Sequence, residues 1–371
     1  MPTPRGSLRK KVVAVKLRLE KGGLLTTVQD LGRWGYQAIG MPVAGAMDGF
    51  ALQAANLLVG NEPGAAALEI TVMGPALAVI EGEGVICLGG AEMDLKINGN
   101  RVPCWTAHRV KEGDRVSVGG PVGTGCRGYL CASGGIDVPL LMGSRSTYLR
   151  AKIGGLEGRA LKSGDVLETG TLPPLWRRCE GFACPAKLRP DYDKSRNVRV
   201  VMGPQDDCFK AEGIETFLSS EYTITNEADR MGFRLEGPTI EHEGGADIIS
   251  DGIPLGAVQV PGHGKPVVML ADRQTTGGYT KIAVVASCDI GPLAQRMPGE
   301  AVRFRAVSFE DALEAAREER ARLRALAVAR AEYRSAPRGV VAVPEAKRQG
   351  KRFFRINVDG VSRDVEVEEL E

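Results

Sequence analysis

Short runs of alternating apolar and polar residues, cut apart by glycine and proline, limit what this chain can become. In "VAVKLRLE" Val15, Leu17 and Leu19 fall on one side and Lys16, Arg18 and Glu20 on the other. That is the period-two signature of a half-buried strand. The pattern returns in "VICLGG", "MDLKING", "DRVSVGG", "GYLCASGG", "NVRVVMG", "PVVMLAD", "KIAVVAS" and "AVRFRAV". Turn signals such as Asn98-Gly99 and Asp251-Gly252 bound these runs. With 48 Gly and 21 Pro among 371 residues, the punctuation is dense enough to keep strands short. Many short strands at close spacing predict a mainly β fold, a barrel or sandwich, rather than a doubly wound α/β sheet.

Two stretches break the pattern. "MDGFALQAANLLVGN" predicts a helix capped by Asp48, with Leu52, Ala55 and Val59 at helical spacing and Gly60 as its stop. "SFEDALEAAREERARLRALAVARAEY" (308–333) predicts a long helix opened by Ser308 and Asp311. Its Leu/Ala stripe is expected to pack on a barrel. After it, "RFFRINV-DG-VSRDVEVEEL" reads as a strand, an Asp359-Gly360 turn and a second strand.

The chain also repeats itself. "TTVQDLGRWGY" (26–36) is echoed by "TITNEADRMGF" (223–233), and "EITVMGP" (69–75) by "VRVVMGP" (198–204). "RGYLCASGGID" (127–137) is echoed by "GGYTKIAVVASCDI" (277–290). Several echoes in one order predict two related β-rich halves. The join falls in "PAKLRPDYDKSR" (185–196), a linker by composition. The expected division is 1–190, 191–308, a helix over 309–336 and a hairpin tail over 337–371.

Charge and familiar motifs exclude several functions. A net charge of +2 gives no overall electrostatic case for nucleic acid or a membrane surface. No apolar run approaches ~18 residues, and none follows the basic start as a signal-peptide core would, so a cytoplasmic protein is expected. The eight Cys form no CxxC and read as reduced buried thiols. The three His lack ligand-spaced partners, so no metal site is expected. "GTGCRG" (123–128) matches a dinucleotide-binding pattern but is followed by a strand-like run instead of a helix, and reads as a turn. In "PGHGKP", Pro266 stands where a phosphate loop needs Ser or Thr.

What remains is a polar inventory in loops and strand ends. It is densest in "ADRQTTGGYTKIA" (271–283), between the apolar runs "VVML" and "IAVVAS". Taken singly, Thr-Thr-Gly-Gly is a turn and Asp272-Arg273 a local brace. Taken together they predict a wet loop lining a pocket mouth.

Three longer stretches carry a resemblance. "TTVQDLGRWGYQAIGMPVAGAMDGFALQAANLLVGN", "SDGIPLGAVQVPGHGKPVVMLADRQTTGGYTKIA" and "DIGPLAQ" resemble the biotin-dependent carboxyltransferase / allophanate hydrolase subunit 2 family. The similarity covers roughly residues 12–310. It implies two related cyclophilin-like β-barrel halves. It also implies a B-type partner subunit and, in the 5-oxoprolinase branch, an A-type third subunit. The activity implied first is that of a subunit of an ATP-dependent 5-oxoprolinase, opening 5-oxo-L-proline to L-glutamate, with ATP handled through the complex. An alternative is a biotin-dependent carboxyltransferase acting on urea or a related amide, with biotin on a separate carrier. A second alternative is a non-catalytic regulator that binds the B-type subunit. The tail is similar to the hairpin that precedes the biotinyl domain in some biotin carboxylases, without the Ala-Met-Lys-Met attachment sequence.

Both chemistries ask for donors at an amide or ureido oxygen and an acceptor at the nucleophile. Residue type then names the candidates. Asp272, Asp30 and Asp48 could supply the carboxylate, and Lys281 a catalytic donor. Arg273, Gln274, Thr275, Gly278 and Tyr279 could bind substrate, with Arg33, Gln259, Lys265, Asn226 and Arg230. Gln and Thr suit a small amide because each offers both a donor and an acceptor.

Overall fold

The computed structural model describes residues 14–193, 197–336, 343–348, 351–358 and 361–368. Every one of the nine predicted strand runs contains a strand. The first, Lys16–Lys21, buries Leu17 and Leu19, and Val15 lies just before it, as the alternation requires. The first half of the chain builds two antiparallel sheets around one core. One sheet runs in the order 166–168, 16–21, 76–81, 115–121, 93–97, 100–101. The other runs 25–29, 67–71, 127–132, 83–90, 108–111. In the second half, seven strands close into a barrel: 197–202, 281–285, 257–259, 267–269, 232–236, 221–224 and 301–306. Closure uses one parallel pair, Asn197↔Arg303 to Val200↔Ala306. The fold is therefore mainly β, and the two halves differ in closure. "GTGCRG" lies on the turn leading into strand Arg127–Ala132, as read.

Four α-helices are found among the described residues. Helix α1 (Gly49–Leu58) is capped by Asp48, whose side chain accepts from Ala51 N at 3.0 Å. Helix α2 (Ala211–Ser219) closes one side of the barrel, with Phe217 stacked on Phe304. Helix α3 (Ser287–Ala294) lies against α1 so closely that a Cβ on Gly291 would sit 2.6 Å from Asp48 Oδ1. The strand-dominated reading missed α2 and α3. Each is only two turns long, and α3 contains Pro292, so neither carries a strong periodic signal.

Helix α4 (Phe309–Ser335) is capped by Ser308 as predicted. Its N-terminal part meets the barrel strand Asn197–Met202, while the rest of the helix packs on the N-terminal half. Leu326 enters the N-terminal core, Arg322 lies 4.7 Å from the Phe50 ring, and Ala315 meets Ala286 and Cys288 beside the barrel. The expected linker is also packed, with Leu188 and Tyr192 buried. Strands Lys351–Val358 and Val361–Glu368 form the expected tail hairpin, joined by an unpredicted third strand, Val343–Arg348. The Asp359-Gly360 turn and the basic residues 1–13 lie outside the described residues. All eight Cys are free thiols and seven are buried. No helix among the described residues is long and apolar enough to cross a membrane.

Candidate functional site

The stretch "TTGGY" folds differently from the expected turn. Thr276–Tyr279 is a strand, paired with Asp247–Gly252 in a two-stranded arm that stands off the barrel. Thr-Thr-Gly-Gly suits an extended arm here because Gly277 must lie close to its neighbours. A Cβ there would fall 2.7 Å from Ile253 Cδ1, 3.2 Å from Gln259 Nε2 and 3.6 Å from Gln274 Nε2. Gly277 therefore lets two amide side chains approach one point. Lys281, fully buried at the foot of the arm, pairs with Asp251 Oδ2 at 3.2 Å and ties the arm down.

The arm overhangs a cavity of about 350 Å³ at the barrel end. Gln259, Gln274 and Tyr279 line it from the strand and arm side. Arg234, His263 and Lys265 line it from the opposite side. Gln259 is 3% exposed, and the one hydrogen bond its side chain makes among the described residues, Nε2 to Tyr279 O, is long at 3.5 Å. Tyr279 is 42% exposed. His263 Nδ1 accepts from Lys265 N at 3.1 Å, which leaves Nε2 to carry the proton of a neutral ring. Lys265 is held by Glu236 and by the Gly237 carbonyl. The site thus offers two amides, a phenol, an imidazole and two cations around one small space.

The carboxylates proposed from sequence lie elsewhere, and their oxygens are occupied. Asp30 accepts from Gly32 N, Arg145 N, Ser144 Oγ and Ser146 Oγ. Asp48, besides capping α1, accepts from Tyr192 OH at 2.7 Å and Gln295 Nε2 at 2.9 Å. Asp272 receives both Nε and Nη2 of Arg230, at 3.0 and 2.9 Å. The Asp-Arg brace expected between neighbours 272 and 273 is therefore a long-range pair with Arg230.

Arg230 is the centre of a buried junction between the halves. Its other contacts are Glu69 Oε1 and the Gly45 carbonyl. Glu69 Oε2 in turn accepts from Tyr129 OH and Met47 N, each at 2.8 Å. Burial opposes the charge on Arg230, but Asp272 and Glu69 outweigh it and hold the guanidinium above its ordinary pKa. The polar network fixes how the halves meet, because each member has its geometry set by the others.

Among the described residues, Arg33 and Arg273 are buried without a carboxylate in contact. Arg33 donates to the carbonyls of Leu141 and Ser146, at 3.1 and 2.9 Å. Arg273 donates to those of Ile253 and Leu270, at 2.9 and 3.2 Å. Thr275 lies beside Arg273 at a second cavity, Gly278 sits in the arm, and Asn226 is exposed on a turn. Of the sequence candidates, the structure brings together Gln259, Lys265, Gln274 and Tyr279. It separates Asp30, Arg33, Asp48 and Arg230 from that group. Glu69, Tyr129 and Gln295 were missed as junction residues. Glu69 had a signal: a lone acid inside "ALEIT", a run otherwise apolar enough to be buried.

Comparison with known proteins follows the same lines. The family profile described as "Carboxyltransferase domain, subdomain A and B" matches residues 39–306. The C-type subunit of the Escherichia coli 5-oxoprolinase is 38% identical over 301 residues, covering 81% of this chain and 94% of that protein. Urea amidolyase of Lachancea kluyveri is 34% identical over 78% of this chain, but only 17% of its own length. The crystal structure of the Kluyveromyces lactis urea carboxylase superposes with a TM-score of 0.79 at 30% identity, covering 94% of this chain and 33% of that one.

Proposed function

Because the chain belongs to the carboxyltransferase domain family of subdomains A and B, we propose that it is a subunit of an ATP-dependent 5-oxoprolinase. In this reading it works with B-type and A-type partner subunits to open 5-oxo-L-proline to L-glutamate. One observation carries the choice within the family: the E. coli protein is 38% identical to this chain, whereas the urea amidolyase is 34% identical.

The barrel-end cavity supplies what a lactam needs. The Nε2 atoms of Gln259 and Gln274 both approach Gly277, so the two amides can donate to the lactam carbonyl. Arg234 and Lys265, though paired with Glu227 and Glu236, line the same space and can turn donors toward the oxygen that becomes negative when the ring carbon is attacked. Tyr279 and His263 stand at the mouth, where a hydroxyl or imidazole can pass a proton to the leaving nitrogen. ATP enters through the complex.

A second reading has its own support. The K. lactis urea carboxylase structure superposes over 94% of this chain. In that reading the chain is a carboxyltransferase acting on urea or a related amide. A ureido ring presents two N–H groups and one carbonyl, and the paired amides of Gln259 and Gln274 are complementary to it. Biotin, bound on its carrier, would supply the carboxyl group for transfer, while Gln259 and Gln274 orient the ring.

Reconstitution with the B-type and A-type subunits separates the two. ATP-dependent release of glutamate from 5-oxoproline is expected. No release, with carboxylation of urea once a biotinylated carrier is added, would overturn the first reading and establish the second.

A further inference from the structure

Two cavities beyond the barrel-end site, of about 480 and 200 Å³, adjoin where Trp34, Val43, Leu255 and Arg273 line both. Three of those four side chains are apolar. Trp34 is 58% exposed, a large ring left open to solvent on a molecule whose other two tryptophans are buried. The fourth, Arg273, is only 7% exposed. Its Nε and Nη1 reach only the neutral carbonyls of Ile253 and Leu270. Its Nη2 has no hydrogen bond among the described residues and is not fully enclosed, so it borders open space.

A buried cation without an anion is costly, and proteins ordinarily pair it. Burial lowers the Arg273 pKa to about 10, with no carboxylate raising it. The group still carries its charge at neutral pH. Two acids line the smaller cavity, and neither answers this charge. Asp48 is saturated by Ala51 N, Tyr192 OH and Gln295 Nε2. Glu319 is pushed up to about 7 by burial, so near neutrality it is half uncharged.

We infer that Arg273 is the anchor of a carboxylate-binding site at the junction of the halves, for a small monocarboxylate whose flat or apolar body packs between Trp34, Val43 and Leu255. The guanidinium fork matches a carboxylate through its planar donors, and the low-polarity walls strengthen that contact. Gln37 also lines the larger cavity and offers an amide donor there. The site stands apart from which reaction the complex catalyses.

Benzoate tests it, with benzamide as the uncharged molecule of the same shape. On the full-length chain, calorimetry is expected to show benzoate binding at least about ten-fold tighter than benzamide, one factor of ten being 1.4 kcal/mol. Benzoate should also change the tryptophan emission, because Trp34 is the exposed indole. Arg273→Met should weaken benzoate at least ten-fold and leave benzamide unchanged. Trp34→Phe should keep benzoate binding by calorimetry and lose the emission change. Equal binding of benzoate and benzamide, no binding of either, or undiminished benzoate binding by Arg273→Met would each overturn the inference. The benzoate–benzamide contrast on the unaltered protein needs no variant to fold.

Discussion

Arg230 and Arg273 are both buried arginines at the meeting of the two halves, and their surroundings are opposite. Arg230 has two carboxylates, Glu69 and Asp272, and the Gly45 carbonyl. Arg273 has two neutral carbonyls and one open nitrogen. The same contrast separates the two echoed Gly-Tyr pairs. Tyr129 is fully buried and bonded to both Glu69 and the Asp48 backbone, while Tyr279 stands half open at a cavity mouth. Polar groups whose partners lie within the chain hold the halves together. Polar groups left with spare bonding capacity beside a cavity are available for a ligand.

The sharpest way to break this comparison is to remove Arg230. Arg230→Met leaves Glu69 and Asp272 buried without their counter-charge, and a loss of about 3–5 kcal/mol is expected in a denaturant melt. A loss below about 1 kcal/mol would mean that the junction is not a structural lock. Asp48→Ala should cost less, about 1–3 kcal/mol. It removes a helix cap and the carboxylate that accepts from Tyr192 OH and Gln295 Nε2, which the same melt reads directly.

Arg273→Met should differ in kind. It exchanges an unpaired buried cation for an apolar side chain of similar length, so stability should stay within about 1 kcal/mol of the parent. A loss as large as that for Arg230 would place Arg273 in the lock. The smallest effect concerns Glu319. Its folded pKa of about 7 lies above the ordinary value of 4.5. Between those two pH values the folded state holds the proton and the unfolded chain does not. Stability from this group is therefore fully present below pH 4.5 and is lost as pH rises through 7. Glu319→Gln should flatten that decline by roughly 1–3 °C in melts at pH 5 and pH 8.

Much of the fold was legible because alternation is a local property. Leu17 and Leu19 face the core for the reason their spacing gives, and Asp48 and Ser308 cap the helices they precede. What was not legible depends on contacts far apart in sequence. Nothing near residue 272 announces that its partner is Arg230, so Asp272 looked available for catalysis. Lys281 looked equally available, and its ammonium is enclosed beneath Asp251. Burial removed the acids Asp30, Asp48 and Asp272 from the list of free carboxylates. The same folding gathered Gln259, Lys265, Gln274 and Tyr279, which residue type had already marked. The short helix α3 and the arm strand Thr276–Tyr279 were hidden by Pro292 and by the glycines that usually mean a turn.

The most direct test is the activity of the assembled complex carrying Gln274→Ala. Gln274 is exposed and bears no structural bond among the described residues, so its loss should leave the melting temperature unchanged. The account predicts a fall of about ten-fold or more in kcat/KM for ATP-dependent opening of 5-oxoproline, a loss of about 1.4 kcal/mol in transition-state binding. Unchanged turnover in a complex of unchanged stability would contradict the claim that the open amides beneath the arm form the reaction site.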